Sequence, residues 1–232
     1  TDPRSPVVLA ATAAAGRDAD GGRSYAASAA VTLKPRGNVA LTLAPSIART
    51  IDEAQYVTTV ADSTARSFFG HRYVFAAATQ RTLALEMRVD VTFTPTLSLD
   101  VYAQPFLASG AYTDFEEYDA PRSLGRSVYG RDRGSIAPSD SGAARYTIDP
   151  DGAGPAPSFT IADPSFTLHS WRSNAVLRWE YRPECTLYVV WTQARHDRAA
   201  FGDISLGRDG PAIFRQRPED VLLIKAAYWF AR

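Results

Sequence analysis

Three histidines, one cysteine and a few closely spaced carboxylates are the residues whose types and spacing could do chemistry in this chain. His196 is followed by Asp197, an order that suits a general base and the carboxylate that orients it. No serine or second acid stands at a recognisable spacing from that pair, so it reads as a solvated histidine near the end of a strand. His71 and His169 complete the set. Cys185 lies in the stretch Arg182-Pro183-Glu184-Cys185-Thr186 without a neighbouring histidine, and reads as an incidental thiol rather than a nucleophile. As the single cysteine it excludes an intrachain disulfide. Glu116 and Glu117 are adjacent and point apart in extended chain, whereas glycoside hydrolysis needs two carboxylates facing one bond. Asp149-Pro150-Asp151-Gly152, Asp203 and Asp209 set oxygen ligands in loops, at spacings that do not form an EF-hand. No phosphate-cradling glycine loop or zinc spacing is present, and no catalytic residue, metal or cofactor is expected. Lys plus Arg and Asp plus Glu balance at 25 each, so no global field draws nucleic acid.

The elements that would position these residues are far more legible. From Thr82 to Thr94 the chain alternates without a fault, Leu83, Leu85, Met87, Val89, Val91 and Phe93 against Ala84, Glu86, Arg88, Asp90, Thr92 and Thr94. Side chains on a strand point to opposite faces with a period of two, so one face is apolar and the other charged. Strands of soluble domains usually end after ~5–6 residues, whereas a tilted strand crossing a bilayer needs ~9–11. Nowhere does an apolar run reach the ~18 residues of a transmembrane helix, which says nothing against a barrel. Ten strands are expected, near 7–16, 24–34, 38–50, 54–61, 71–80, 82–94, 97–109, 169–182, 186–197 and 221–231.

The connections sort by length. Links after the second, sixth and eighth strands are tight and carry Pro35, Pro95 and Pro183; those after the first, seventh and ninth, near 17–23, 110–168 and 198–220, are longer. In an up-and-down meander the first three share one rim and the others the opposite rim, the layout of an outer-membrane barrel with its long loops outside. The 62–70 link and the Gln80-Arg81 junction do not fit this sorting. The 110–168 stretch, rich in Gly, Pro, Ser and Asp, reads as a long external loop.

Several segments go beyond pattern: Phe69-Gly70-His71-Arg72-Tyr73-Val74-Phe75, Val91-Thr92-Phe93-Thr94-Pro95 with Leu97-Ser98-Leu99, Tyr102-Ala103-Gln104-Pro105-Phe106, the run from Arg172 to Pro183, and Tyr228-Trp229-Phe230. Together they resemble the C-terminal outer-membrane β-barrel domain of unknown function (domain of unknown function 5916) that follows a carbohydrate-binding-family-9-like module in bacterial surface proteins. The resemblance runs from about residue 69 to the end, with the 110–168 and 198–220 loops outside it, and implies that this chain is the C-terminal part of a larger barrel. It carries over no catalytic residues. Ala231 and Arg232 depart from the terminal aromatic that such barrels present to their assembly machinery, and the opening Thr1 reads as that of a processed or truncated product.

The expectation is therefore an all-β, antiparallel up-and-down transmembrane β-barrel of about ten strands, one domain over 1–232, in a bacterial outer membrane. Glu86, Arg88, Asp90, Asp100, Arg172, Arg178, Glu180 and Lys225 are expected to face the lumen, as a network of paired charges or the lining of a water-filled path. On the last strand Leu222, Ile224, Ala226, Tyr228 and Phe230 would face lipid. Trp171, Tyr181, Tyr188, Trp191, Tyr228 and Trp229 are expected in interfacial girdles. The partner would be the lipid bilayer, with a glycan or surface protein at the long loops, in a transport, anchoring or display role. The alternatives are the barrel part of a carbohydrate-binding or carbohydrate-degrading surface protein, and a soluble β-barrel or sandwich.

Overall fold

The alternating sequence folds, in a computed structural model describing residues 5–139 and 144–229, into one long antiparallel sheet with two additions near its upper rim. Eight strands form the wall in the order β1 (Val7–Arg17), β2 (Arg23–Arg36), β3 (Val39–Ala61), β4 (His71–Thr94), β5 (Leu97–Tyr118), β10 (Phe166–Arg182), β11 (Cys185–Ala199) and β12 (Glu219–Ala227). Every neighbour in this order is antiparallel. The intervening elements are a 3₁₀ turn at Arg66–Phe68, β6 (Arg126–Val128), β7 (Ser135–Pro138), β8 (Arg145–Asp149), β9 (Phe159–Ala162) and helix α1 (Leu206–Arg215). β6 extends the wall beside β5, whereas β7–β8–β9 make a separate three-stranded sheet.

The wall has eight long strands rather than ten. Residues 39–61 and 71–94 are two continuous strands, because only bulges, and no turn, interrupt the first near residue 52 and nothing breaks the second at Gln80-Arg81. The sequence misleads there for a physical reason. Below Thr82 the apolar residues of β4 are odd-numbered, Leu83 to Val91; above it the buried ones are even-numbered, Val74, Ala76 and Ala78. The apolar side changes face because what covers it changes, and a change of phase reads as a break. With the strands merged, the sorting of links loses its exceptions. Residues 37–38, 95–96 and 183–184 make two-residue turns on the lower rim, and 18–22, 62–70, 119–165 and 200–218 all fall on the upper rim.

The expected 110–168 loop is largely ordered chain: β5 continues to Tyr118, and four more strands precede β10. A bulge at Asp114 (φ 49°) turns Phe115 and Glu117 onto the face of Val74 and Arg72. There Val74, Ala76, Phe115, Tyr129, Ile148 and Ile161 form the hydrophobic core, with Ile148 fully buried at the centre of the small sheet. The sequence hides this element because its strands are only three to five residues long.

The sheet is not closed. Among the described residues β1 and β12 are its two edges and neither is paired on its outer side, so the expected closure into a barrel is not formed here. Both edges are apolar on both faces, with Val7, Leu9, Val221, Leu222, Leu223 and Ile224 exposed. β12 ends at Ala227, so Tyr228 and Trp229 follow the strand instead of closing it, and the residues from Phe230 to Arg232 lie outside the described residues.

Candidate functional site

Residues paired across a ladder share a face, so the register defines the two surfaces of the wall. One row runs Val7, Leu33, Leu41, Val89, Val101, Ala175, Trp191, Leu222, crossing all eight strands without a polar residue. The row toward the lower turns, Val39, Val91, Leu99, Leu177, Val189 and Ile224, is equally apolar. In the lower half nothing packs against this face: Leu9, Trp191, Leu222 and Ile224 are exposed and the central leucines only half-buried. The row Leu9, Val31, Leu43, Met87, Ala103, Ser173, Gln193, Asp220 ends in polar residues on β10–β12, where Asp220 accepts hydrogen bonds from Trp191 Nε1 and Gln193 Nε2, 3.0 Å each.

The opposite face carries the charge. Glu86, Arg88, Asp90, Asp100, Arg172, Arg178, Glu180 and Lys225 all fall on it by register. Arg88 donates to Glu86 at 2.7 Å and lies over the Tyr102 ring, and Arg178 donates to Glu180 at 3.3 Å. Asp90 stands directly opposite Asp100, a like-charge pair beside the Arg88 guanidinium, which interacts with Asp90. Toward β1–β4 the same face is lined by short side chains, Ala10, Thr12, Ser28, Ala30, Ala44, Ser46 and Ala84, around a hollow of about 230 Å³ bordered by Glu86 and Gln104. Thr12 and Ser28 hydroxyls are 2.6 Å apart, and those of Thr32 and Thr42 3.0 Å, so the small polar residues bond along the sheet. Toward β10–β12 the face is apolar again at Val176, Val190, Val221 and Leu223.

The aromatics divide. Trp171 is on the apolar face beside Phe214 of α1, and Trp191 is on the same face in the all-apolar row. Tyr181 makes an edge contact with Trp179 at the lower end of β10. Tyr188, near the lower end of β11, pairs with Arg178 and Lys225 on the charged face, because its position in the alternation is even while Trp191 is odd. Tyr228 and Trp229 are exposed beyond β12.

Sequence reasoning missed the two buried polar centres at the upper rim. In the first, Arg72 bridges Asp62 (2.5 Å) and Glu117 (2.8 Å), while Glu117 also accepts from Tyr129 Oη (2.8 Å) and pairs with Arg133. Adjacent Glu116 points to Arg126 instead, 2.7 Å away, so the two glutamates face different partners. Burial raises Tyr129 above the ordinary phenol range, and the carboxylate it donates to adds to this. In the second, His169 Nε2 is 3.0 Å from Asp209 Oδ1 of α1, which Arg208 also reaches at 2.8 Å. The Arg208 hydrogen bonds, followed by those from the Ser205 amide and His169, hold Asp209 well below the usual carboxylate range despite burial. His196 and Asp197 point to opposite faces, and Asp197 lies 3.7 Å from His169 Nδ1 instead. Asp197 therefore does not orient His196; the histidine held by a carboxylate is His169, through Asp209. His169, Asp209 and Ser109 are all at most 3% exposed, which leaves no path for a substrate and makes this a strut joining α1 to the wall. Sequence offered no distinct signal for it, since His169 shares its face of β10 with other polar residues, Thr167 and Ser173. Among the described residues no group of three or more His, Cys, Asp or Glu could hold a metal ion.

No family model, curated protein or solved structure matches this chain.

Proposed function

We propose that this chain forms a membrane-spanning wall of a bacterial outer-membrane β-barrel, with a transport, anchoring or surface-display role and the upper-rim additions as its interaction surface. The observation that carries the reading is the apolar row from Val7 to Leu222, unbroken across eight strands on a face that none of the described residues covers there. In water a surface of that extent marks a missing partner, and hydrocarbon is the partner that fits a flat band repeated on every strand. The strand lengths agree. At ~3.3 Å per residue and a tilt near 40°, the ~25 Å apolar band of a barrel needs ~10 residues, and the alternating run of β4 from Leu83 to Phe93 supplies that length. The remainder of the 24-residue strand stands above the bilayer, where its apolar side turns to the small sheet.

Hydrocarbon does not tolerate unpaired strand edges, so β1 and β12 must pair inside the membrane, with each other or with further strands. The test is heat-modifiable gel migration after refolding into phospholipid vesicles. An SDS-resistant band that shifts on boiling is expected. A monodisperse, soluble chain in detergent-free buffer sinks the reading.

A further inference from the structure

Four arginines stand just above the apolar band, on the same face and in two adjacent register rows. Arg49 is directly opposite Arg81, and Arg17 directly opposite Arg23. Immediately below the first pair lie Ile47 and Leu83, and beside it Tyr25. Like charges facing each other across a ladder repel, and a folded sheet keeps them only where something offsets the repulsion. Nothing among the described residues does so. All four are exposed, and none has an ion pair or side-chain hydrogen bond among the described residues. Of the nearby acids, Asp18 accepts from the Asp20 and Gly22 amides and Asp52 from the Ala54 amide, and Asp20 and Glu53 form no ion pair with any of the four among the described residues. Asp52 pairs in register with buried Ala78, on the opposite face.

Arg49 and Arg81 also border a groove of about 450 Å³ whose other walls include Ala14, Tyr25, Ala27, Ile47 and Ile204. Ile204 arrives from the 200–218 segment, which is held across this face by Thr167 Oγ1 donating to Asp203 O at 2.9 Å. An apolar trough with two guanidinium groups at its upper side presents two demands at once. The planar forks suit a phosphate, which can accept bidentate hydrogen bonds from both, and the trough suits a hydrocarbon chain. Both demands meet at the level where a bilayer passes from acyl chains to head groups.

We infer that Arg49 and Arg81 bind the phosphate of an anionic lipid whose acyl chain lies in the Tyr25–Ile47–Ile204 groove, with Arg17 and Arg23 extending the site. The inference rests on the membrane reading above. A free phosphate satisfies the charges but leaves the apolar walls bare, so a lipid is the occupant.

The experiment refolds the full chain into phosphatidylcholine vesicles containing a minor fraction of phosphatidylglycerol, extracts it into detergent, and counts retained phospholipid by native mass spectrometry. Near an anionic surface each arginine is worth roughly a five-fold change in affinity, so the R49Q/R81Q variant is expected to hold phosphatidylglycerol about thirty-fold more weakly. Arg182→Gln, on the opposite rim, is expected to retain it fully. The double variant removes a repulsion and keeps its heat-modifiable band; should it lack one, R49Q and R81Q singly serve, each with a part of the loss. Equal retention by the variants, or no preference for phosphatidylglycerol over phosphatidylcholine, overturns the inference while leaving the membrane wall standing. Displacement by inorganic phosphate as effective as by short-chain phosphatidylglycerol overturns the lipid in favour of a free anion. Absence of a folded band for the unaltered chain in every vesicle sinks the membrane reading and this inference together.

Discussion

Replacing Val89 by arginine tests the proposal that the apolar face of the wall meets hydrocarbon. Val89 lies between Leu41 and Val101 in the all-apolar row, one residue from Arg88, the centre of the Leu83–Phe93 run. With ~10 residues crossing an apolar band of ~25 Å, that position falls within ~3 Å of mid-depth. An arginine there costs about 2–4 kcal/mol in a barrel wall, a factor of ~30 to ~1,000 in the folded population. The matched change on the other face is Asn174→Arg, which pairs with Tyr102 and Thr192 on the charged side and should cost less than ~1 kcal/mol. Urea unfolding in vesicles, followed by tryptophan fluorescence and by the heat-modifiable band, measures both. The reasoning is refuted if Asn174→Arg is as damaging as Val89→Arg, or if Val89→Arg leaves the midpoint unchanged.

Other consequences concern the upper rim and the lower turns. Ile148→Ala should remove ~2–5 kcal/mol from the small sheet's core; proteolysis within 119–165 then accelerates, while the gel shift of the wall persists. Glu117→Gln leaves Arg72 and Arg133 short of their shared carboxylate, at a cost near 3–5 kcal/mol, and hydrogen exchange should rise in the same region. Because the folded state depresses the Asp209 pKa, its contribution to α1 docking is complete above the ordinary carboxylate pKa of ~3.9 and declines as pH falls through the lower folded value. Exchange protection of α1 should therefore hold at pH 5 and weaken only in strong acid, whereas Asp209→Asn should lose that protection at every pH. Cys185 is buried at the lower turn, so maleimide should label it slowly in the folded chain and promptly after boiling; equal rates would mean that the turn is not formed as described.

The alternation alone determined the lower half of this protein. A period of two needs no knowledge of neighbours, so Leu83 to Val91, the charged set from Glu86 to Lys225 and the three proline-bearing turns could be read residue by residue, and the register then collects each set onto one face. Tyr188 shows the limit of even this local rule, because composition groups it with Trp191 while parity separates them. Tertiary structure decided the upper half. Whether an apolar residue at position 74 or 83 faces left or right depends on what covers it, and β7–β9 cover the face opposite to the one left bare below. Contacts between residues far apart in sequence have no local signal: strand pairing brings Arg72 to Glu117 and Arg49 to Arg81, and the docking of α1 on the wall brings Asp209 to His169. The open edges at β1 and β12 are of the same kind: each strand is legible by itself, but its missing neighbour is a property of the whole sheet.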